Sequence, residues 1–430
     1  MARLAAWVSL SAICVLLPFS VVAPAQNSSQ NFGILPFSTN EFGIDLATSA
    51  VNANIPLRNK AGKIPFANSF RGTSLYGTWY DLENRLTYWT LEAGPLSSAS
   101  LGYTDNLEFG FTGGGASYNC TDGSGYVYYH ATTAIADGTG ASHPLPSTFT
   151  WYARGTGDCY TASASAQVTD GTGYTFVVTN GTPTIYDSSG DMYSNFGANP
   201  TNPNSLALAS SLTDPDGAKI STSSSGVITD TLGATVATTV TTKDSQGVYN
   251  TTCVYYTANN AEAGCGPSGT ASYTITWTNL NLETAFHCSG IEELNSSGYF
   301  VTAIKTPTGG SYIIRYEGTP NVPNSYTGRI AEITFPEGGS ISYSYSDESS
   351  HNGMNCNSLV VPTTKVMLSD NHGNSGTWTY VNSNNSSTPG KFHGYKNRPG
   401  EQPERLQFLG RVPDGGGVLP GRLPYQHQRM

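Results

Sequence analysis

The stretch TWYDLENRLTYWTLEAG, residues 78–94, holds the densest group of side chains able to do chemistry. Asp81, Glu83 and Glu92 stand there beside Trp79, Tyr80, Tyr88 and Trp89. Glycoside hydrolysis needs two carboxylates facing each other across a sugar, one as acid and one as base or nucleophile. Aromatic rings nearby offer apolar faces for the sugar. The same pattern also reads as two amphipathic strands whose aromatics pack a sheet while the charges face solvent, and alternation alone accounts for it. The strand reading is preferred, and Trp79, Tyr80, Tyr88 and Trp89 are kept as candidate ligand-binding residues.

The histidines are His130, His143, His287, His351, His372, His393 and His427. None lies in a metal-binding HExxH, and no GxSxG elbow accompanies them. His287 adjoins Cys288, which would suit a Cys/His nucleophile pair, but a disulfide explains that cysteine better. The Asp-bearing turns offer oxygen ligands for calcium, yet none has the spacing of an EF-hand or a nonapeptide repeat. The expectation is no catalytic residue, no metal and no cofactor.

Residues 1–25 read as a secretory signal. Arg3 supplies the positive start, Leu4 to Leu17 the apolar run, and Ala23-Pro24-Ala25 the small residues before Gln26. The run is short for a membrane-spanning helix, so a secreted or surface location is expected with no retained span. Cys14 belongs to this segment. Six cysteines follow it: Cys120, Cys159, Cys253, Cys265, Cys288 and Cys356. An even count in a secreted chain points to disulfides, for which six cysteines allow 15 connectivities. Sequence neighbours suggest Cys120–Cys159, Cys253–Cys265 and Cys288–Cys356, with other pairings or free thiols left open. No CxxC spacing supports a zinc-thiolate site.

The elements that must carry these residues are written as hairpins. Only 12% of the 430 residues are charged, while Tyr, Val, Ile, Phe and Thr recur in short alternating runs that suit pleated, half-buried surfaces. The net charge of −10, with no stripe of Lys and Arg, argues against nucleic acid. Asp-Gly turns precede strand-like runs at Thr175 to Val178, Ala234 to Val240, Val248 to Tyr256 and Thr377 to Val381. In each, an Asp bonds its own backbone and a Gly takes the positive-φ position. Residues 204–211 (NSLALASS) could form one turn of helix. The fold class expected is all-β: antiparallel hairpins in a repeat-like sheet array, with an N-terminal signal helix and a disordered C-terminal tail.

Residues 301–316 and 330–345 are the sharpest repeat. Ile304 falls on Ile333, Pro307 on Pro336, Gly309-Gly310 on Gly338-Gly339, and Tyr316 on Tyr345. A fixed period marks an array in which each unit buries a face on its neighbour.

Tyr326-Thr327-Gly328-Arg329-Ile330, followed by AEITFPEGGSISYSYS, resembles the tyrosine-aspartate (YD) repeat of rearrangement-hot-spot (RHS) proteins. Thr327 stands where that pattern has Asp, the gap before Gly328 is shorter, and Ile330 replaces Leu. The repeat-motif residues are Tyr326, Gly328, Arg329, Pro336, Gly338, Gly339, Tyr343 and Tyr345. NIPLRNKAGKIPFANSF (54–70), VTDGTGYTF (168–176), SSSGVITDTLGATVAT (223–238) and FHCSGIEEL (286–294) are similar to the N-terminal region of large secreted bacterial RHS proteins, a likeness spanning roughly residues 40–385. The resemblance implies a non-enzymatic β-rich region ahead of a repeat array. Its implied partners are downstream repeats or an effector domain, which such arrays enclose; surface glycans are the alternative.

The expected organisation is therefore a signal (1–25), a β region with aromatic-rich strands (26–115), a disulfide-containing β region with Asp-Gly turns (116–285), RHS/YD-like hairpins (286–388) and a tail (389–430). In the tail the alternation stops, and seven of the 20 Lys and Arg residues lie from Lys391 on. It reads as a disordered segment or as the product of a shifted reading frame.

Overall fold

The computed structural model describes residues 43–44, 51–73, 75–81, 86–92, 102–105, 109–120, 126–137, 142–152, 161–196, 205–243, 249–258, 264–346, 351–356, 363–370, 372, 375–384, 391–397 and 404–409. The signal segment lies outside them. Among the described residues there is strand and turn but no helix.

Five strands come first: β1 (Asn52–Lys60), β2 (Phe66–Thr73), β3 (Leu75–Asp81), β4 (Leu86–Glu92) and β5 (Gly102–Asp105). β1, β2 and β5 form one antiparallel sheet, and β3 and β4 form a hairpin. β6 (Gly110–Asn119), β7 (Tyr126–Ala136) and β8 (Ser142–Tyr152) form an antiparallel meander. A longer ladder follows. Its first half is β9 (Ser163–Gln167), β10 (Thr175–Thr179), β11 (Thr182–Tyr186), β12 (Met192–Phe196), β13 (Ser205–Thr213), β14 (Lys219–Thr222), β15 (Val227–Asp230), β16 (Thr235–Lys243), β17 (Tyr249–Thr257) and β18 (Thr270–Glu283). The short β19 (Ile291–Glu292) leaves the ladder to pair in parallel with β4. The second half is β20 (Asn295–Lys305), β21 (Ser311–Gly318), β22 (Tyr326–Thr334), β23 (Ser340–Ser346), β24 (Thr363–Ser369), β25 (Ser375–Asn384), β26 (Lys391–Asn397) and β27 (Glu404–Leu409). Each ladder strand pairs antiparallel with the next, and β6 joins through β13. A single parallel pair, Leu282↔Tyr326, closes β18, β20, β21 and β22 into a ring.

One expectation is corrected. Residues 205–213 are strand, not helix, and pair with β12, β14 and β6. Three partners supply backbone hydrogen bonds that one helical turn cannot match. Within the tail, Lys391–Asn397 pairs with β25, and Glu404–Leu409 pairs with β26. The open edge of β25 offers backbone groups to any extended segment, so pairing there needs no side-chain alternation.

The turns follow one recipe. At Asp187, Asp214 and Asp230 the carboxylate accepts from the backbone two and four residues on, for instance Leu232 N and Ala234 N, both 3.0 Å from Asp230 Oδ1. A left-handed glycine, such as Gly233, then closes the hairpin. Thr306–Gly310 and Phe335–Gly339 make the same backbone closure without the Asp.

The 29-residue repeat is also kept in detail. Tyr316 donates its hydroxyl hydrogen to Val301 O (2.9 Å), and Tyr345 donates to Ile330 O (2.7 Å), each across 15 residues. Successive turns stack: a Cβ on Gly310 would lie 2.7 Å from Pro336 Cβ, and one on Gly339 would lie 2.7 Å from Ser369 O. Alternation fills the core, as on β21, where Tyr312, Ile314 and Tyr316 are buried while Ile313 and Arg315 are exposed. One core cluster joins Ile55 and Phe70 to Ile304, Ile333 and Val366, on both sides of residue 285. A second is built on Phe111, Trp151 and Phe176. A small third one holds Tyr76, Trp89, Phe286, Cys288 and Met354.

Candidate functional site

The repeat motif and the third cluster meet at Arg329. Strict alternation would bury every second residue of β22, yet Thr327, Gly328, Arg329 and Ile330 are all buried. The register between β21 and β22 shifts around Tyr316 and Gly318, and such a bulge re-aims side chains. Gly328 sits in the left-handed region (φ 82°), and a Cβ there would stand 2.8 Å from Leu91 Cδ2. No larger residue fits without moving Leu91.

Arg329 is 0% exposed. A guanidinium keeps its charge at any working pH, so its burial is tolerable only with partners. It has several. Nε donates to Glu317 Oε2 at 2.6 Å, and Nη2 and Nη1 donate to the Asn352 and Gly353 carbonyls at 2.9 and 3.4 Å. Thr327 Oγ1 donates to the same Glu317 oxygen at 2.7 Å. The guanidinium lies 4.2 Å from the Tyr345 ring centre and 5.2 Å from that of Phe286. Tyr76 donates its hydroxyl hydrogen to Thr327 O. Burial pushes the Tyr345 hydroxyl well above its ordinary pKa, with Arg329 partly opposing, and the hydroxyl stays a donor to Ile330 O.

Trp89, kept above as a ligand-binding candidate, is 1% exposed. It packs edge-on against Phe286 (5.2 Å) and Tyr76 (6.1 Å). It cannot serve as a platform for a ligand, because Tyr76 of its own hairpin and Phe286 from the segment after β18 bury it. Tyr88 is half-buried. β3 and β4 pair Trp79 with Tyr88 and Thr78 with Trp89. The side chains of Trp79, Tyr80, Asp81 and Glu92, and all of Glu83, lie outside the described residues, so no facing carboxylate pair is placed there.

Cys253–Cys265 and Cys288–Cys356 are disulfides, with Cα separations of 5.8 and 5.3 Å. Both are the pairs that sequence neighbours suggested. Cys120 is disulfide-bonded, and Cys159 lies outside the described residues. His351, which sequence reasoning left unassigned, comes to the second bridge: a ring nitrogen and the sulfurs of Cys288 and Cys356 all lie within 4.8 Å of one another. Of the other motif residues, Tyr343 is buried and its hydroxyl pKa is raised by burial. Pro336, Gly338 and Gly339 form the stacked turn.

Two further polar centres had no signal in the sequence. His143 is buried between Asp170 (Nδ1 to Oδ2 2.6 Å) and Asp137 (Nε2 to Oδ2 3.2 Å). Burial works to lower its pKa, but the flanking carboxylates of Asp137 and Asp170 outweigh it, and the net shift is upward. A cavity of about 150 Å³ is lined by Lys60, Lys63, Lys219, Phe66, Asp230 and Leu232. It is well below the roughly 300 Å³ at which ligand pockets begin. Two of its lysines are already paired, Lys60 with Asp230 at 3.1 Å and Lys63 with Asp216 at 2.6 Å.

No protein-family model matches the chain, and a search of curated proteins finds no match either. The described residues hold a buried ion pair, a packed aromatic junction and stacked turns, all of them devices that hold sheets together. No helix among the described residues is long and apolar enough to cross a membrane.

Proposed function

We propose that this chain is a non-enzymatic structural module, a stretch of β-hairpin wall from a secreted or surface protein of the RHS/YD-repeat type. The observation that carries the reading is the repeated Tyr hydroxyl to backbone carbonyl bond, Tyr316 to Val301 and Tyr345 to Ile330, set in hairpins whose turns stack. A wall of this kind spends its polar groups on internal bonds, as Arg329 and Glu317 do. Its natural partners are further repeats of the same protein or an effector domain held by them. β27 pairs with β26, and further repeats would extend the ladder beyond it.

The test is the purified chain in solution, on a glycan array and in a polysaccharide hydrolysis screen. Expected are neither binding nor turnover, and concentration-dependent association by light scattering that Leu406→Pro with Phe408→Pro on β27 abolishes. Strict monomers at high concentration would count against the wall reading. Glycan binding lost on Trp79→Ala would replace it with a carbohydrate-binding one.

A further inference from the structure

Cys288, Cys356 and His351 converge although 68 residues separate the two cysteines. Two features make the cluster more than a bridge with a neighbour. First, His351 Nδ1 lies 2.8 Å from Phe286 O. A carbonyl can only accept, so Nδ1 is the donor to Phe286 O, and Nε2 is the nitrogen left to face a ligand. Metal-binding imidazoles are held in this way, with the second nitrogen donating to a backbone carbonyl or carboxylate. Second, the supporting turn does not depend on the disulfide. Asn352 Nδ2 donates to Ala285 O, Arg329 holds the Asn352 and Gly353 carbonyls, and Met354 N bonds His351 O at 3.0 Å. These bonds hold the His351 turn against Ala285 and Phe286, beside Cys288, without using the bridge.

We propose that Cys288, Cys356 and His351 form a redox-gated site for a zinc-class divalent cation, filled when the bridge is reduced and emptied when it closes. An external dithiol supplies the two electrons and two protons that break the Sγ–Sγ bond, and closes to its own disulfide. Cation binding then releases the two thiol protons and leaves two thiolates and one neutral imidazole as ligands. Such a centre needs metal–sulfur distances of about 2.3 Å and metal–nitrogen distances of about 2.0–2.1 Å. Ligand atoms already within 4.8 Å of one another reach this by side-chain rotation alone. Cys288 is buried while His351 and Cys356 are half-buried, and water would supply the fourth ligand. Oxidation reverses the sequence: the thiolates give up two electrons to an oxidant, the bridge reforms, and the cation leaves.

The experiment is a Co²⁺ titration of the whole chain, reduced under argon with a phosphine. Expected is one equivalent bound, with thiolate-to-cobalt charge-transfer and tetrahedral ligand-field bands, and release on reoxidation. His351→Ala should weaken binding at least tenfold and shift the ligand-field bands. Cys253→Ser with Cys265→Ser should leave the spectrum unchanged. A reduced wild-type chain without these bands overturns the proposal with no variant needed. Bands that survive Cys288→Ser with Cys356→Ser overturn it equally.

Discussion

Arg329 and His143 show how much single residues decide here. Arg329 holds its charge in the interior through Glu317 and two turn carbonyls. Replacing it with Ala leaves Glu317 and those carbonyls unpaired, and breaking such a buried pair costs about 3–5 kcal/mol. Arg329→Met with Glu317→Leu should cost less, because both charges go together. Urea unfolding of the two variants checks this; equal losses would show that the pair does not act as a unit. At His143 the sign of the pH effect follows from the shifts. Its folded pKa is raised, so its contribution is complete below the ordinary value of about 6.5 and is lost as pH rises through the folded value. Asp170 is opposite. Burial works to raise its pKa, but bonds from Thr172 and His143 outweigh that and lower it. Its contribution holds above the ordinary carboxylate range and is lost as pH falls through the lowered value. His143→Gln should flatten the alkaline loss of stability in urea midpoints taken from pH 5 to 9. Parallel wild-type and variant profiles above pH 6 would refute the assignment.

At the scale of elements, the hairpin turn is the unit. Its backbone closure recurs whether the first residue is Asp230, Thr306 or Phe335. What differs is how tightly a turn is stacked. Gly217 and Gly339 both sit at positive φ, 86° and 79°, but a Cβ meets nothing within 4 Å at Gly217 and a backbone oxygen at 2.7 Å at Gly339. Gly217→Ala should cost only the left-handed strain, about 1–2 kcal/mol. Gly339→Ala should cost that plus about 1–3 kcal/mol of overpacking. Matched denaturation curves decide, and equal costs would mean that turn stacking contributes little. The element reading from sequence did well where Asp, Gly and alternation agreed, as at Thr175–Thr179 and Thr235–Lys243. It failed at Ser205–Thr213, where small residues carry no strong preference and three neighbouring strands decided.

Across the whole molecule, one disulfide is local, tying β17 to the loop ahead of β18, and the other joins the segment after β18 to the one after β23. Cys253–Cys265 closes a separation of 12 residues and Cys288–Cys356 one of 68. Chain-entropy arguments assign about 3 kcal/mol to the short loop and about 4 kcal/mol to the long one. Melting of Cys253→Ser/Cys265→Ser and Cys288→Ser/Cys356→Ser variants without added metal should rank them in that order. An unchanged melt for the second variant would mean that Arg329 and Asn352 hold the junction unaided.

The all-β class and the hairpin repeat were legible in the chain because alternation and turn residues are local, and both described cysteine pairs because each joins consecutive cysteines. Gly328 and Arg329 could be marked as a motif but not as a buried bulge, since the register shift that turns Arg329 inward arises between β21 and β22. The approach of His351 to Cys288 and Cys356, of Asp137 and Asp170 to His143, and of Trp89 to Phe286 belongs to the tertiary structure. No spacing rule covers residues that meet only when separate hairpins pack, and those meetings decide which polar groups are structural and which remain able to bind.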